Sequence, residues 1–409
     1  MTKGKFHVFS SFIAILSICL LFCSSSFAQG FEGYYQHADI HKNTVIFTAE
    51  GDLWSVPLSG GLAQRLTTHS EEEIYPSISP DGKTIAFSAS YEGPTEIYTM
   101  PIQGGLPARR TYESNRSVMN TWTPDGKLVY ATSAYSKVPD LQLVSIDLES
   151  NKKNLIPLSQ ASEASFNDSG ETVYFVRPAY HRNVTKRYEG GTARQVWKFT
   201  EGSTEAVKLT SDHLGENHHP MWYNDRVYFI TDRDGIMNVW SMNEAGTDLK
   251  QHTTHKEFDV RYANISEGNI VYQIGADLWR YNTLSNESKK IDIRLSTDLD
   301  QLREKWDENP SKYITSVHPD PSGEQIVITA RGRVFVAPVK SGRFVSFVEK
   351  KNVRFRDATF TSKGDDILSL SDESGEFEFV RMAANGLGSE TKITKDGSLL
   401  RYAGAPSPD

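Results

Sequence analysis

A unit of roughly 40–45 residues recurs along this chain and narrows its folds more than any other feature. Aligned on one short apolar strand, the units read NTVIF (43–47), KTIAF (83–87), GKLVY (126–130), ETVYF (171–175), DRVYF (225–229), GNIVY (268–272), EQIVI (324–328) and DDILS (365–369). The last residue of each, from Phe47, Phe87, Tyr130 and Phe175 to Phe229, Tyr272, Ile328 and Ser369, recurs at spacings of 40, 43, 45, 54, 43, 56 and 41. A following strand repeats as well: DLWSV, EIYTM, LVSID, QVWKF, NVWSM, DLWRY and RVFVA. Alternating apolar and polar residues predict strands half buried in sheets. The Asp-Gly and Gly-Gly pairs between them are hairpin-turn chemistry. Four strands per unit at this period predict an all-β chain built as a β-propeller. The recurring Trp54, Tyr98, Trp197, Trp240, Trp279 and Phe335 then read as flat packing residues between blades, not as a cofactor or carbohydrate platform.

Six units fit between Gln36 and about Ile293, so residues 29–293 are expected to form a six-bladed β-propeller. Each unit begins with its inner strand and ends with its outer one, which leaves no strand to share. Closure is therefore expected to rest on packing between blades one and six. Residues 294–312 are charged and turn-rich and read as a linker with one helical turn. The repeat restarts at Tyr313, and residues 313–409 read as two blades and a strand of a second, incomplete propeller. Two blades cannot close a ring, so the sequence is expected to be a piece of a longer chain.

Residues 1–28 read as a secretory signal peptide: Lys3 and Lys5, an apolar run, then SFAQ with a cut after about Ala28. The alternative is a retained membrane anchor. A lipid anchor at Cys23 is disfavoured by the bulky Phe22 beside it. The expected location is the periplasm or the exterior. Cys19 and Cys23 both fall in this segment, so the mature chain has no disulfide, no thiol nucleophile and no Cys-ligated metal. Removing two lysines and no acid takes the net charge from −8 to −10 (−8 − 2), which argues against nucleic acid as a partner.

Catalytic signatures are missing. There is no GxSxG elbow and no HExxH zinc motif. DRDG (232–235) reads as a turn, not a calcium loop, because the remaining oxygen ligands are lacking. DHLGENHHP (212–220) groups His213, His218 and His219, but no carboxylate or thiol pattern joins them. That stretch reads as a connection between blades, and neither a metal nor a cofactor is expected.

One stretch, HRNVTKRYEGGTARQVW (181–197), breaks the pattern. Phe175 and Trp197 are 22 residues apart, against 7 in blades one, six and seven and 11 in blades two and five. Residues 178–194 thus read as an insertion in a hairpin loop, assigned from the sequence to blade three. In an up-and-down blade this loop shares a face with the connections between blades, which carry Arg116, His213, His218, His255 and Lys256. Arg116, Arg182, Lys186, Arg187 and Arg194 are therefore expected around one mouth of the ring, where they would attract a carboxylate or an acidic peptide tail. The alternative is a solvated loop that caps its blade or packs on a neighbouring domain.

The runs DIHKNTVIFTAEGDLWSVPLSGGLAQRLTTH, KRYEGGTARQVW, PMWYNDRVYFITDRDGIMNVW, TARGRVFVAPVKSGR and SDESGEFEF resemble tricorn-type serine proteases, across essentially the whole mature chain. The resemblance implies a six-bladed propeller followed by a seven-bladed one, then a PDZ-like domain and a catalytic core with a Ser-His nucleophile system. It implies that the rings filter and channel unfolded peptides, that the chain assembles with those later domains, and that catalysis lies beyond Asp409. A homo-oligomer is a further expected partner. The family's loop often carries an arginine where this chain has Glu189, and a pair of its propeller arginines anchors peptide carboxylates; Arg116 is the nearest candidate here. The second reading is a non-enzymatic periplasmic binding propeller of the TolB-like kind.

Overall fold

A computed structural model describes residues 30–138, 140–178, 187–299, 303, 304, 306, 307, 309–347 and 350–407. The segment read as a signal peptide lies outside the described residues, as do Arg182 and Lys186. Among the described residues no helix is long and apolar enough to cross a membrane. The chain divides into two compact units, Met1–Leu302 and Arg303–Asp409.

The first unit holds six sheets, each built on one sequence repeat, the first gaining a fifth strand from the chain beyond the sixth repeat. Their first strands are Gln36–His41, Glu73–Ile78, Ser117–Trp122, Ser162–Phe166, Asn217–Tyr223 and Val260–Ser266. Each of these packs against the first strand of the next sheet, and the sixth packs against the first, so they form the inner wall of a closed ring. Phe47, Phe87, Tyr130, Phe175, Phe229 and Tyr272, the residues that align in the repeat, are all fully buried.

Second strands such as Thr44–Ala49 and Thr84–Ala89 are buried on both faces, not half buried as alternation predicts. The reason is blade stacking. Phe47 faces the core shared with blade six, while its neighbour Ile46 faces the core shared with blade two. The same division recurs at every joint, so successive residues face different apolar cores. Trp197, Trp240 and Trp279 pack on these inter-blade cores, and Trp54 is fully buried with its indole N–H on the Ala49 carbonyl (2.9 Å).

Closure differs from the expectation. After blade six, Ile293–Leu295 forms a short strand that pairs in parallel with Gly61–Arg65, the outer strand of blade one. Arg294 and Leu295 thus belong to the ring and not to a linker. The Phe31 amide donates to the Leu295 carbonyl and the Leu295 amide returns the bond to Phe31, at 3.0 and 2.8 Å. Tyr35, buried, donates its hydroxyl to the Ile293 carbonyl at 2.8 Å. The chain leaving blade six is therefore stitched to the chain entering blade one.

The long insertion falls between Thr172–Arg177 and Gln195–Thr200, in the fourth sheet and not the third, because the Tyr130 repeat already fills the third. In the second unit a 3-10 turn at Pro310–Tyr313 precedes two four-stranded sheets, whose first strands are Ile314–Pro319 and Phe355–Phe360.

Candidate functional site

The inner strands share a local device. In five of the six, two residues face one on the neighbouring strand, and the first of the two sits in the left-handed region. These are His37, Tyr75, Glu163, His219 and Tyr262, with φ of 49, 54, 49, 51 and 48°. Such a φ costs a non-glycine residue about 1–2 kcal/mol, which the ring holds in place through its packing. Each is followed by Ala or Pro, a small or rigid residue that fits the second bulge position. The third blade is also irregular, around Met119 and Thr121, but without a positive φ.

All five bulge residues line an axial cavity of about 1360 Å³. The His37 ring lies 4.3 Å from Tyr75 and 4.4 Å from Tyr262 between centroids. Tyr75 and Tyr262, from blades two and six, approach to 5.9 Å, and His219 comes within 5.7 Å of Tyr262. The bulges thus bring side chains of separate blades together on the bore. His37 is buried, and burial followed by the influence of His219 takes its imidazole down to about 3, so it stays neutral.

Of the sequence-predicted cations, Arg116 is exposed and lines the mouth. Arg187 is also exposed on the cavity wall, and its Nε donates to the Gly235 carbonyl of blade five at 3.2 Å. Arg194 is different. It is buried, with Nε on Glu216 Oε2 at 2.8 Å and Nη1 on Glu163 Oε1 at 2.9 Å. Its charge is matched by two carboxylates and serves the joint between blades four and five. The described cavity wall holds Arg116, Arg187, Arg194 and Arg261 against Glu71, Glu72, Asp140, Glu163, Asp232 and Asp259, so it is not a uniformly basic mouth.

The histidines also separate. His218 and His219 lie within the fifth inner strand, not in a connection. His213 does lie in the connection, where its Nε2 meets Asp232 Oδ1 at 2.8 Å. Glu163, absent from the sequence-stretch that groups the histidines, joins His218 and His219 across the blade joint. Burial raises its pKa, but the charges of His219 and Arg194 outweigh that and hold the carboxyl well below its usual range. Burial, then Arg194, holds His218 well below the usual imidazole range. The bulky-residue-then-Ala/Pro pair in five of the six inner strands was the signal by which Glu163 could have been found.

Residues 32–287 match the family model for the tricorn protease N-terminal beta propeller domain. A tricorn protease homolog of Saccharolobus solfataricus is 27% identical over 382 residues, 92% of this chain and 35% of that protein. Tricorn protease homolog 1 of Streptomyces coelicolor is 28% identical over 360 residues, 87% of this chain and 34% of its own length. The crystal structure of the tricorn protease superposes with a TM-score of 0.72 at 22% identity, over 89% of this chain and 36% of that one. The chain spans about a third of the length of the curated relatives it matches.

Proposed function

Since the chain belongs to the family of tricorn protease N-terminal β-propeller domains, we propose that it is the substrate-channelling front of an exported tricorn-like serine peptidase. In this reading unfolded peptides enter or leave along the ring axis, and cleavage takes place in catalytic domains that follow in the parent protein. The observation that carries the reading is the axial cavity itself, with strained bulges in five blades turning polar and aromatic side chains onto the bore. Strained residues of this kind cluster where a fold is held ready for a ligand.

The insertion supplies the selectivity. Arg187, at the mouth, with Lys186 and Arg182 before it in sequence and Arg116 on an adjacent blade, offers guanidinium and ammonium groups to a peptide carboxylate. Arg194 is a positioning residue, because both of its bonds go to protein carboxylates.

The test compares an unstructured peptide bearing a free C-terminal carboxylate with its amidated twin, by fluorescence anisotropy against the full chain. Lys186→Glu combined with Arg187→Glu is expected to weaken the free-acid peptide about tenfold, ~1.4 kcal/mol, and to leave the amide little changed. Equal affinity of wild type and variant for the free acid would remove the loop from peptide recognition.

A further inference from the structure

We propose that Glu163, His218 and His219 form a binding site for one divalent transition-metal ion of the zinc class, at the joint of blades four and five and open to the bore.

The donor atoms converge. His218 Nδ1 and His219 Nδ1 are 2.7 Å apart, His219 Nδ1 and Glu163 Oε2 are 3.1 Å apart, and His218 Nδ1 and Glu163 Oε2 are 3.8 Å apart. These three edges bracket the about 3.3 Å that separates ligands in a tetrahedral site with bonds of ~2.0–2.1 Å. A small shift of either ring would bring all three atoms into contact with one ion.

Protons alone use this set poorly. At 2.7 Å the two Nδ1 atoms leave room for one hydrogen between them, and that hydrogen would have to serve the Glu163 oxygen as well. Glu163 Oε2 already accepts the His219 backbone N–H at 2.8 Å. A cation would take a lone pair from all three.

The surroundings supply what a metal site needs. Arg194 grips the other oxygen of Glu163, at 2.9 Å, which fixes the carboxylate's orientation as an outer-shell partner does. His218 is buried, which restricts its ring to the observed rotamer. The bulges at Glu163 and His219 set both side chains on the cavity wall. Three protein ligands facing a cavity leave further coordination positions for water or a peptide carboxylate, as in sites that bind substrate. Two imidazoles and one carboxylate favour Zn²⁺, Co²⁺, Ni²⁺ or Cu²⁺ over Mg²⁺ and Ca²⁺, which prefer all-oxygen cages. The sequence hides the site, because its carboxylate comes from the preceding blade.

The experiment titrates the untagged chain, with Cys19 and Cys23 replaced by serine so that no thiol competes, with Zn²⁺ in competition with a chelating dye, and with Co²⁺ followed by visible absorption. One ion per chain is expected, with Co²⁺ bands typical of nitrogen and oxygen ligands. His218→Gln and His219→Asn each remove a ligand and should weaken binding by at least about a hundredfold, the upper end of what losing an outer-shell partner alone costs. Asn is chosen because it tolerates the left-handed backbone at position 219. Unchanged melting temperatures of the metal-free variants would show that the ring is intact. If either variant melts early, Glu163→Gln serves as the third test. No saturable binding by wild type would overturn the proposal, and so would a bound ion that all folded variants retain.

Discussion

His219 Nδ1 lies 3.1 Å from Glu163 Oε2, and the same carboxylate oxygen accepts the His219 amide, although the two residues are 56 positions apart and belong to different blades. Both occupy the strained first position of a bulge. The ring therefore uses one backbone device twice in succession, and the two uses meet. Arg194 completes the joint by reaching Glu163 and Glu216 with one guanidinium.

Removing that guanidinium should be costly. Arg194→Met leaves two carboxylates in a buried joint without their cation, and breaking a buried pair by deleting one partner costs about 3–5 kcal/mol. The calorimetric transition of the first unit should fall accordingly. Arg194→Lys keeps the charge but offers a single ammonium to carboxylates on separate strands, so it should recover only part of the loss. A Met variant as stable as wild type would mean that the two acids are neutralised by other means.

The ring closure makes a second prediction. The Tyr35 hydroxyl donates to the Ile293 carbonyl at 2.8 Å and accepts the Gly33 amide at 2.9 Å. Tyr35→Phe strands both groups, at a cost of about 1–3 kcal/mol. The effect should be local, because the outer strand Ile293–Leu295 is short and lies at the edge of its sheet. Arg294 is exposed on that strand, so trypsin should cut after it faster in the variant. Unaltered cleavage would show that pairing along Gly61–Arg65 holds the strap without Tyr35.

The repeat made the ring legible, because a residue fully buried in six blades must recur wherever the blade recurs. Phe47, Phe87 and Phe229 are such residues. The parallel strap was not legible, since Ile293–Leu295 lacks both a turn and the repeat's spacing. Basic residues also read misleadingly: Arg194 and Arg187 look alike in sequence, yet only the fold puts Arg194 between two acids. Sequence distance hid Glu163 from the two histidines. The bulges were written in the chain as His37-Ala38, Tyr75-Pro76, Glu163-Ala164, His219-Pro220 and Tyr262-Ala263, a pattern that becomes visible once the blades are aligned.

A buried threonine recurs in the same way. Thr67, Thr111, Thr210 and Thr253 each accept, through Oγ1, the amide of Leu53, Ile97, Val196 and Val239, fourteen residues earlier, at 2.8, 2.9, 3.1 and 2.9 Å. Each hydroxyl in turn donates to a side chain, Asn238 in the case of Thr253. Thr253→Val keeps the shape but leaves the Val239 amide without its partner, at about 1–3 kcal/mol, while Asn238 Oδ1 keeps the His255 amide. Thr253→Ser keeps the hydroxyl and should lose only about 1 kcal/mol of buried methyl. Thermal unfolding of both variants distinguishes the hydrogen bond from the packing; a Val variant as stable as wild type, with the loss confined to Ser, would assign the role to packing.

Asp39 makes the stability of the ring depend on pH. It is buried on the first inner strand, and its Oδ2 accepts the Ile78 amide of blade two at 2.6 Å. Burial pushes its carboxyl from 3.8 up to about 6, against the opposing hydrogen bonds of Ile78 and Ile40. Between those two values the folded chain binds a proton that the unfolded chain has released. Stability contributed by Asp39 therefore falls as pH rises from 3.8 to about 6, and is constant above that. The full change is about 3 kcal/mol at ~1.4 kcal/mol per unit. Other groups titrate in the same range, Glu163 with the opposite sign, so wild type alone cannot isolate it. Asp39→Asn retains an oxygen for the Ile78 amide and removes the titration. Urea unfolding of both proteins from pH 4 to pH 7, followed by tryptophan fluorescence, should show wild type losing about 2 kcal/mol relative to the variant, because part of the change lies below pH 4. A difference that does not change with pH would mean that Asp39 is ionised at little cost, its charge stabilised by the amides of the joint.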